Sequence, residues 1–251
     1  MSAATTGARI AAIVRPFGLN LVGIGSVSDY DALVPAAFRL GNQDPSAKSA
    51  IVLGHGGSAF WYSYQAHVAA HPEHVQRADP LDDFTVGLMR TAIVPRLRAI
   101  GLHGRVRFPF GTDEPRVSFV HLAEAAGLGC RSVLGVLIHP EFGPWIAFRG
   151  ALLVADVLTA PRPAARFDPC GSCTTRPCIA VCPAAAVDRD GWNTRRCIDH
   201  RVGHTEDCQS QCDARVACVY GRAHIYPPAA LDHHHRSVTN VASKRTPPAP
   251  D

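Results

Sequence analysis

The residues best suited to chemistry are nine cysteines, eight of them between Cys170 and Cys218 and the ninth, Cys130, alone. The densest stretch reads Cys170-Gly-Ser-Cys173-Thr-Thr-Arg-Pro-Cys178-Ile-Ala-Val-Cys182-Pro183. An iron–sulfur cube takes four thiolates, and short spacers let one loop wrap several of its corners. A proline after the last cysteine turns the chain away, and in two-cluster ferredoxins that cysteine serves the other cluster. The spacer before Cys178 is longer than in the usual bacterial run, while the Cys-x3-Cys-Pro ending is intact.

Cys197, Cys208, Cys212 and Cys218 complete a set of eight, enough for two [4Fe–4S] clusters. By ferredoxin logic Cys170, Cys173 and Cys178 share one cluster with a late cysteine, and Cys182 joins Cys197 on the other. Which late cysteine returns to the first cluster, Cys212 or Cys218, stays open. Zinc sites and a disulfide framework are the competing readings. Structural zinc usually shows two Cys-x2-Cys pairs, and this block has one. In a cytosolic chain clustered thiols read as metal ligands before disulfides. His200 and His204, inside the block, could replace a cysteine. Arg195, Arg196, Arg201 and Arg215 give the block a basic surface suited to an acidic electron donor.

The elements that must position these residues fall into two parts. Residues 1–165 read as a mixed α and β domain. LVGIGSV (21–27) and AIVLGHGG (50–57) are short apolar runs ending in turn residues, consistent with buried strands. The segment 82–101 places Phe84, Leu88, Ala92, Ile93, Leu97 and Ile100 on one helical face, with Asp82 as a possible cap, Gly101 as a stop and Pro95 as a kink. The segment 117–129 repeats Phe119, Leu122, Ala123 and Ala126 at helical spacing and stops at Gly127. SVLGVLI (132–138) and 145–157 read as strands joined by the turn 139–144. PRPAARFDP (161–169) reads as a linker. The block 166–225 has few long apolar runs, so its order is expected to depend on bound metal. The segment 226–251, with its His233–His235 run, reads as a flexible tail.

Composition bounds the rest. With 251 residues, 47% hydrophobic and 18% charged, the chain is globular rather than disordered. Its net charge of +4 permits an acidic partner without demanding nucleic acid. No apolar run is long enough for a membrane span, and the N-terminus lacks a secretory pattern, so a cytoplasmic location is expected. His55 lies in LGHGGS (53–58), which lacks the Lys-Ser/Thr ending of a phosphate loop.

Several stretches, in order, resemble the cobalamin-dependent epoxyqueuosine reductases: FGLNLVGIG (17–25), QDPSAKSAIVLG (43–54), TDEPRVSFVHLAEAAGLG (112–129), VLIHPEFGPWIAFRGALL (136–153), the cysteine block, and NTRRCI (193–198) within it. The stretch 138–150 is also similar to cobalamin-processing decyanases and chaperones. The resemblance implies an α+β fold, with a nitroreductase-like cobalamin-binding domain followed by a small two-cluster ferredoxin domain. It implies an oxidoreductase in which two [4Fe–4S] clusters pass electrons to a bound cobalamin, for substrate reduction or for processing of the cobalamin itself. The alternative is a ferredoxin-type carrier or cobalamin chaperone without turnover. The implied partners are a flavodoxin- or ferredoxin-like donor, a small-molecule or cobalamin substrate, and transfer RNA. By position Asp113 matches the proton donor of those reductases, and His139, Trp145 and Phe148 are candidate cobalamin contacts. Where the reductases carry an acidic–arginine pair, this chain has Phe119 and Val120.

Overall fold

The computed structural model describes residues 3–111, 116–158, 167–204, 207, 208 and 210–245. The chain forms two compact units. One holds 1–129 and 146–166, the other 130–145 and 167–251.

The first unit begins with α1 (Ala3–Val14), whose Ile10 and Val14 are fully buried. Then follow β1 (Leu21–Ser26), α2 (Val27–Leu33), α3 (Leu40–Gln43) and β2 (Ser49–Gly56). After α4 (Ala59–Ala70) come α5 (Pro80–Leu88), α6 (Val94–Ala99), β3 (Gly104–Arg107) and α7 (Phe119–Ala125). The strands make one antiparallel sheet in the order β1-β2-β6-β3, β6 being Ile146–Val154. Both runs expected as strands, 21–27 and 50–57, are strands. Every residue of β2 is buried, the apolar run Ala50–Leu53 together with Ser49 and His55. The α7 helix buries Phe119, Leu122 and Ala123 and ends at Gly127, whose φ is +75°. Phe119 is thus part of the core.

The helix expected over 82–101 is present but starts earlier, and Asp82 does not cap it: Asp79 holds the cap position before Pro80. Between α5 and α6 the chain widens into a π-turn over Met89–Ile93. Pro95 follows at once, and the wider turn accommodates a residue that has no N–H to donate.

The second unit opens with β4 (Cys130–Arg131) and β5 (Leu137–Ile138), paired antiparallel. The strand expected over 132–138 is therefore only its last two residues. Nor does it pair with β6: the turn 139–144 closes on itself through a His139–Gly143 bridge. Short helices follow: α8 (Pro169–Ser172), α9 (Pro177–Ala180), α10 (Thr194–Gly203) and α11 (Asp213–Val216). Asp168 caps α8 by accepting from the Gly171 N–H at 2.9 Å, and Asn193 caps α10 through the Arg196 N–H at 3.0 Å. The core is small. Cys178, Val187 and Ala214 are buried, with Val133, Leu134, Ile179, Cys182 and Cys212 packed on them. Thiols thus occupy places that aliphatic side chains fill in a larger domain.

Within the segment 226–251, expected as a flexible tail, residues 228–245 form a helix, α12 (Pro228–Arg245), and 246–251 lie outside the described residues. The helix docks because Ala230 and His235 are buried, and because the Arg201 guanidinium donates to the His235 carbonyl at 2.7 Å.

Candidate functional site

The eight clustered cysteines line two cavities of the second unit, four to each. The first, about 30 Å³, is bordered by Cys170, Cys173, Cys178 and Cys218. The second, about 180 Å³, is bordered by Cys182, Cys197, Cys208 and Cys212. Cys182 and Cys197 line the same cavity, apart from the other three cysteines of the first motif. The late cysteine of the first set is Cys218.

Local chain chemistry explains the partition. Pro169 and Pro177 each start a short helix just before Cys170 and Cys178, fixing the turns that bear them. Among the described residues three non-glycine residues have positive φ: Arg176 (41°), Ala185 (44°) and Cys208 (54°). All lie in the cysteine loops, the sparsely populated backbone typical of ligand-clamping segments. Cys218 is brought in by a close crossing of two backbones. Gly143 and Gly221 both have positive φ, and a methyl group on either would overlap the main chain at Tyr220 or Phe142.

The thiols are held as a group, and their electrostatics record it. Burial pushes Cys178 and Cys218 upward, and the charges of Cys170 and Cys173 add to this in both. Burial raises Cys208 to about 11, with Cys212 adding to it, and burial likewise raises Cys212. Backbone N–H groups of Ile179, Tyr220 and Arg215 oppose the rise at Cys178, Cys218 and Cys212 respectively.

Four cysteines at each cavity are a donor set that an iron–sulfur cluster takes on its four iron corners and that a four-thiolate zinc site also uses. Among the described residues no three His, Cys, Asp or Glu side chains are gathered closely enough to hold a single metal ion.

The two surroundings differ. The first cavity is apolar, lined by Val133, Leu134, Ile138 and Val219, with Arg176 at its edge. The second is lined by Arg201, Arg215, Asp213, His200 and His235. Arg215 donates twice to the Pro144 carbonyl, at 2.6 and 3.2 Å, and lies over the rings of Trp145 and Tyr226. Burial and the charge of Arg201 lower His235 to about 4, so its ring is neutral. His200 lies 3.2 Å from Asp207. The basic surface expected of the block shrinks accordingly: Arg201 is buried, Arg215 is turned onto Trp145, and Arg195 pairs with Asp199 at 3.6 Å.

The expected cobalamin contacts fare differently. Trp145 is 1% exposed, edge-to-face with Tyr226 and under Arg215, so it is a core residue with no face for a macrocycle. His139 Nδ1 accepts from the N–H groups of Glu141 and Phe142 at 3.1 and 3.2 Å, which fixes the turn. Burial lowers its pKa. Phe148 is half-buried on β6 in the first unit, beside Gly54. Asp113 lies outside the described residues.

The first unit contains a buried polar group that the sequence only hints at. Leu53 pairs with Gly150 and Gly54 with Phe148, which leaves Arg149 as the extra residue of a bulge. Its guanidinium meets His55 Nε2 at 3.1 Å and lies 4.8 Å from the Phe60 ring centre. His55 Nδ1 donates to the Gly57 carbonyl at 3.0 Å, so Nε2 is the acceptor. Asp82, half-buried nearby, is raised to about 6 by burial, with Arg149 pulling the other way.

No protein-family profile matches the sequence. A curated epoxyqueuosine reductase of Listeria monocytogenes is 28% identical over 155 residues, 56% of this chain and 38% of that protein. The chain is a relative of the epoxyqueuosine reductases. It spans well under half the length of the curated reductases it matches. A crystal structure of selenomethionine-labelled epoxyqueuosine reductase superposes with a TM-score of 0.56 at 15% identity, over 90% of this chain and 68% of that one. The Caenorhabditis elegans B12-trafficking protein CblC superposes at 0.53 with 12% identity, over 96% and 94%. The epoxyqueuosine reductases and CblC thus share this α+β fold. Among the described residues no helix is long and apolar enough to cross a membrane.

Proposed function

We propose that this chain is an iron–sulfur reductase that carries two [4Fe–4S] clusters, one on Cys170, Cys173, Cys178 and Cys218, the other on Cys182, Cys197, Cys208 and Cys212. The observation that carries the reading is the four-and-four division of the thiols around two cavities. The protein's part is to hold each cluster in a dry cradle, to donate backbone N–H groups to the sulfurs, and to keep the clusters within one small unit so that electrons pass singly between them.

The proposed electron acceptor is cobalamin, supported by the likeness to the reductases and to a B12-trafficking protein. Cobalamin, when bound, would supply a strongly reducing cobalt centre. The anticipated contacts do not make a site for it: Trp145 is enclosed, and His139 Nδ1 is used in its turn. No step is therefore routed through it. Asp113 is proposed as the proton donor by its matching position alone.

The test is electron paramagnetic resonance of anaerobically reconstituted protein, incubated with cob(II)alamin and desalted. Reduced-cluster signals beside retained cobalt with a changed axial signal support the reading. Asp113→Asn should then lower turnover without loss of iron, with a small molecule, free cobalamin and a transfer-RNA stem loop tried as substrates. Cluster signals without cobalt overturn the cobalamin part and leave an electron carrier. Retained cobalt without turnover leaves a chaperone, the role for which the CblC likeness speaks.

A further inference from the structure

We propose that Arg201 and Arg215 set the reduction potential of the cluster on Cys182, Cys197, Cys208 and Cys212, holding it above the value the four thiolates alone would give. The inference rests on the two-cluster reading and goes beyond it by assigning residues that are not ligands. Both guanidinium groups line that cavity. Neither is free to swing into water. Arg201 is 8% exposed and tied to the His235 carbonyl at 2.7 Å. Arg215 grips the Pro144 carbonyl with two N–H groups and lies 4.7 Å from the Trp145 ring centre.

Fixed charges in such surroundings are screened less than surface charges. Cluster reduction adds one electron, breaks no bond and needs no proton, so a fixed cation stabilises the reduced form more than the oxidised one. Asp213 lines the same cavity with the opposite sign. Arg176, at the first cavity, is half-buried and bonded through Nε to the Cys173 carbonyl. The two clusters can therefore be addressed separately.

The test is an anaerobic redox titration of the reconstituted full chain, poised with dithionite and mediator dyes and read by electron paramagnetic resonance. Arg215→Gln and Arg201→Gln should each lower one midpoint and leave the other in place. At fixed potential the reduced-to-oxidised ratio of that cluster should fall about tenfold, which is ~59 mV for one electron. Arg215→Lys should restore it. Asp213→Asn, which keeps its shape, should raise the same midpoint and carries the test if an arginine variant loses its cluster. Unchanged midpoints with both clusters present would overturn the inference. Iron and sulfide contents short of two clusters in the wild type would overturn the reading beneath it instead.

Discussion

Cys218 and Cys212 are separated by one and a half turns of chain, yet they line different cavities. That division is what single substitutions can test. Cys178→Ser and Cys218→Ser should each remove the same half of the iron, and Cys197→Ser and Cys212→Ser the other half, as measured by iron analysis and cluster spectra after reconstitution. Spacing alone marked eight thiols as a set and pointed to Cys182 and Cys197 together, which line one cavity. It could not choose between Cys212 and Cys218, because that choice is made by the Gly143–Gly221 crossing, a contact between distant segments. Asp82 gives a second test at this scale. Its carboxyl is raised from the ordinary 3.8 to about 6, chiefly by burial. Between those values the folded chain holds more protons than the unfolded one. The group's contribution is therefore full below the unfolded value and is lost as pH rises through about 6. The thermal midpoint of the first unit should fall between about pH 4 and pH 6, and Asp82→Asn should flatten that slope in a melting series followed by circular dichroism.

At the scale of elements, strands β1, β2 and β6 and helix α7 were legible because each carries its own periodicity. The misreadings share a cause: a partner far along the chain. Helix α12 has a weak apolar pattern of its own, and what orders it is Arg201 bonding to the His235 carbonyl. Cutting the chain after Tyr226 removes that partner and opens the second cavity. The truncated protein should keep the Cys170–Cys218 cluster and lose the other, or lose it within minutes in air, as followed by the visible absorbance of the clusters. Gly221→Ala should act on the opposite cluster, since a methyl group there collides with the Phe142 main chain and displaces the segment bearing Cys218. The burial of Arg149 was hidden in a different way. Its importance comes from a bulge, which no pattern of alternating residues announces.

For the whole molecule, the two units draw their order from different sources. The first has a sheet with a fully buried central strand, whereas the second has a core of a few aliphatic residues and thiols. Removing iron with a chelator under reducing conditions should therefore erase amide-exchange protection across α8–α11 and leave β2 and β6 protected. Composition pointed to this contrast, because the block 166–225 was visibly short of apolar residues. It did not reveal that residues 130–145 belong to the same unit.

That membership changes how the protein could have been assembled or taken apart. The chain enters the second unit at Cys130, returns to the first for β6, and leaves again after Arg166. As the polypeptide emerges from a ribosome, the sheet is completed only after residues 130–145 have passed, and these must wait for everything beyond Phe167 before they find their neighbours. A gene cut at the apparent linker would strand the Pro144 carbonyl and Trp145 without Arg215. The second unit is therefore not a detachable cassette. Moving it to another protein would require both segments, with residue 145 joined to residue 167 by a new loop.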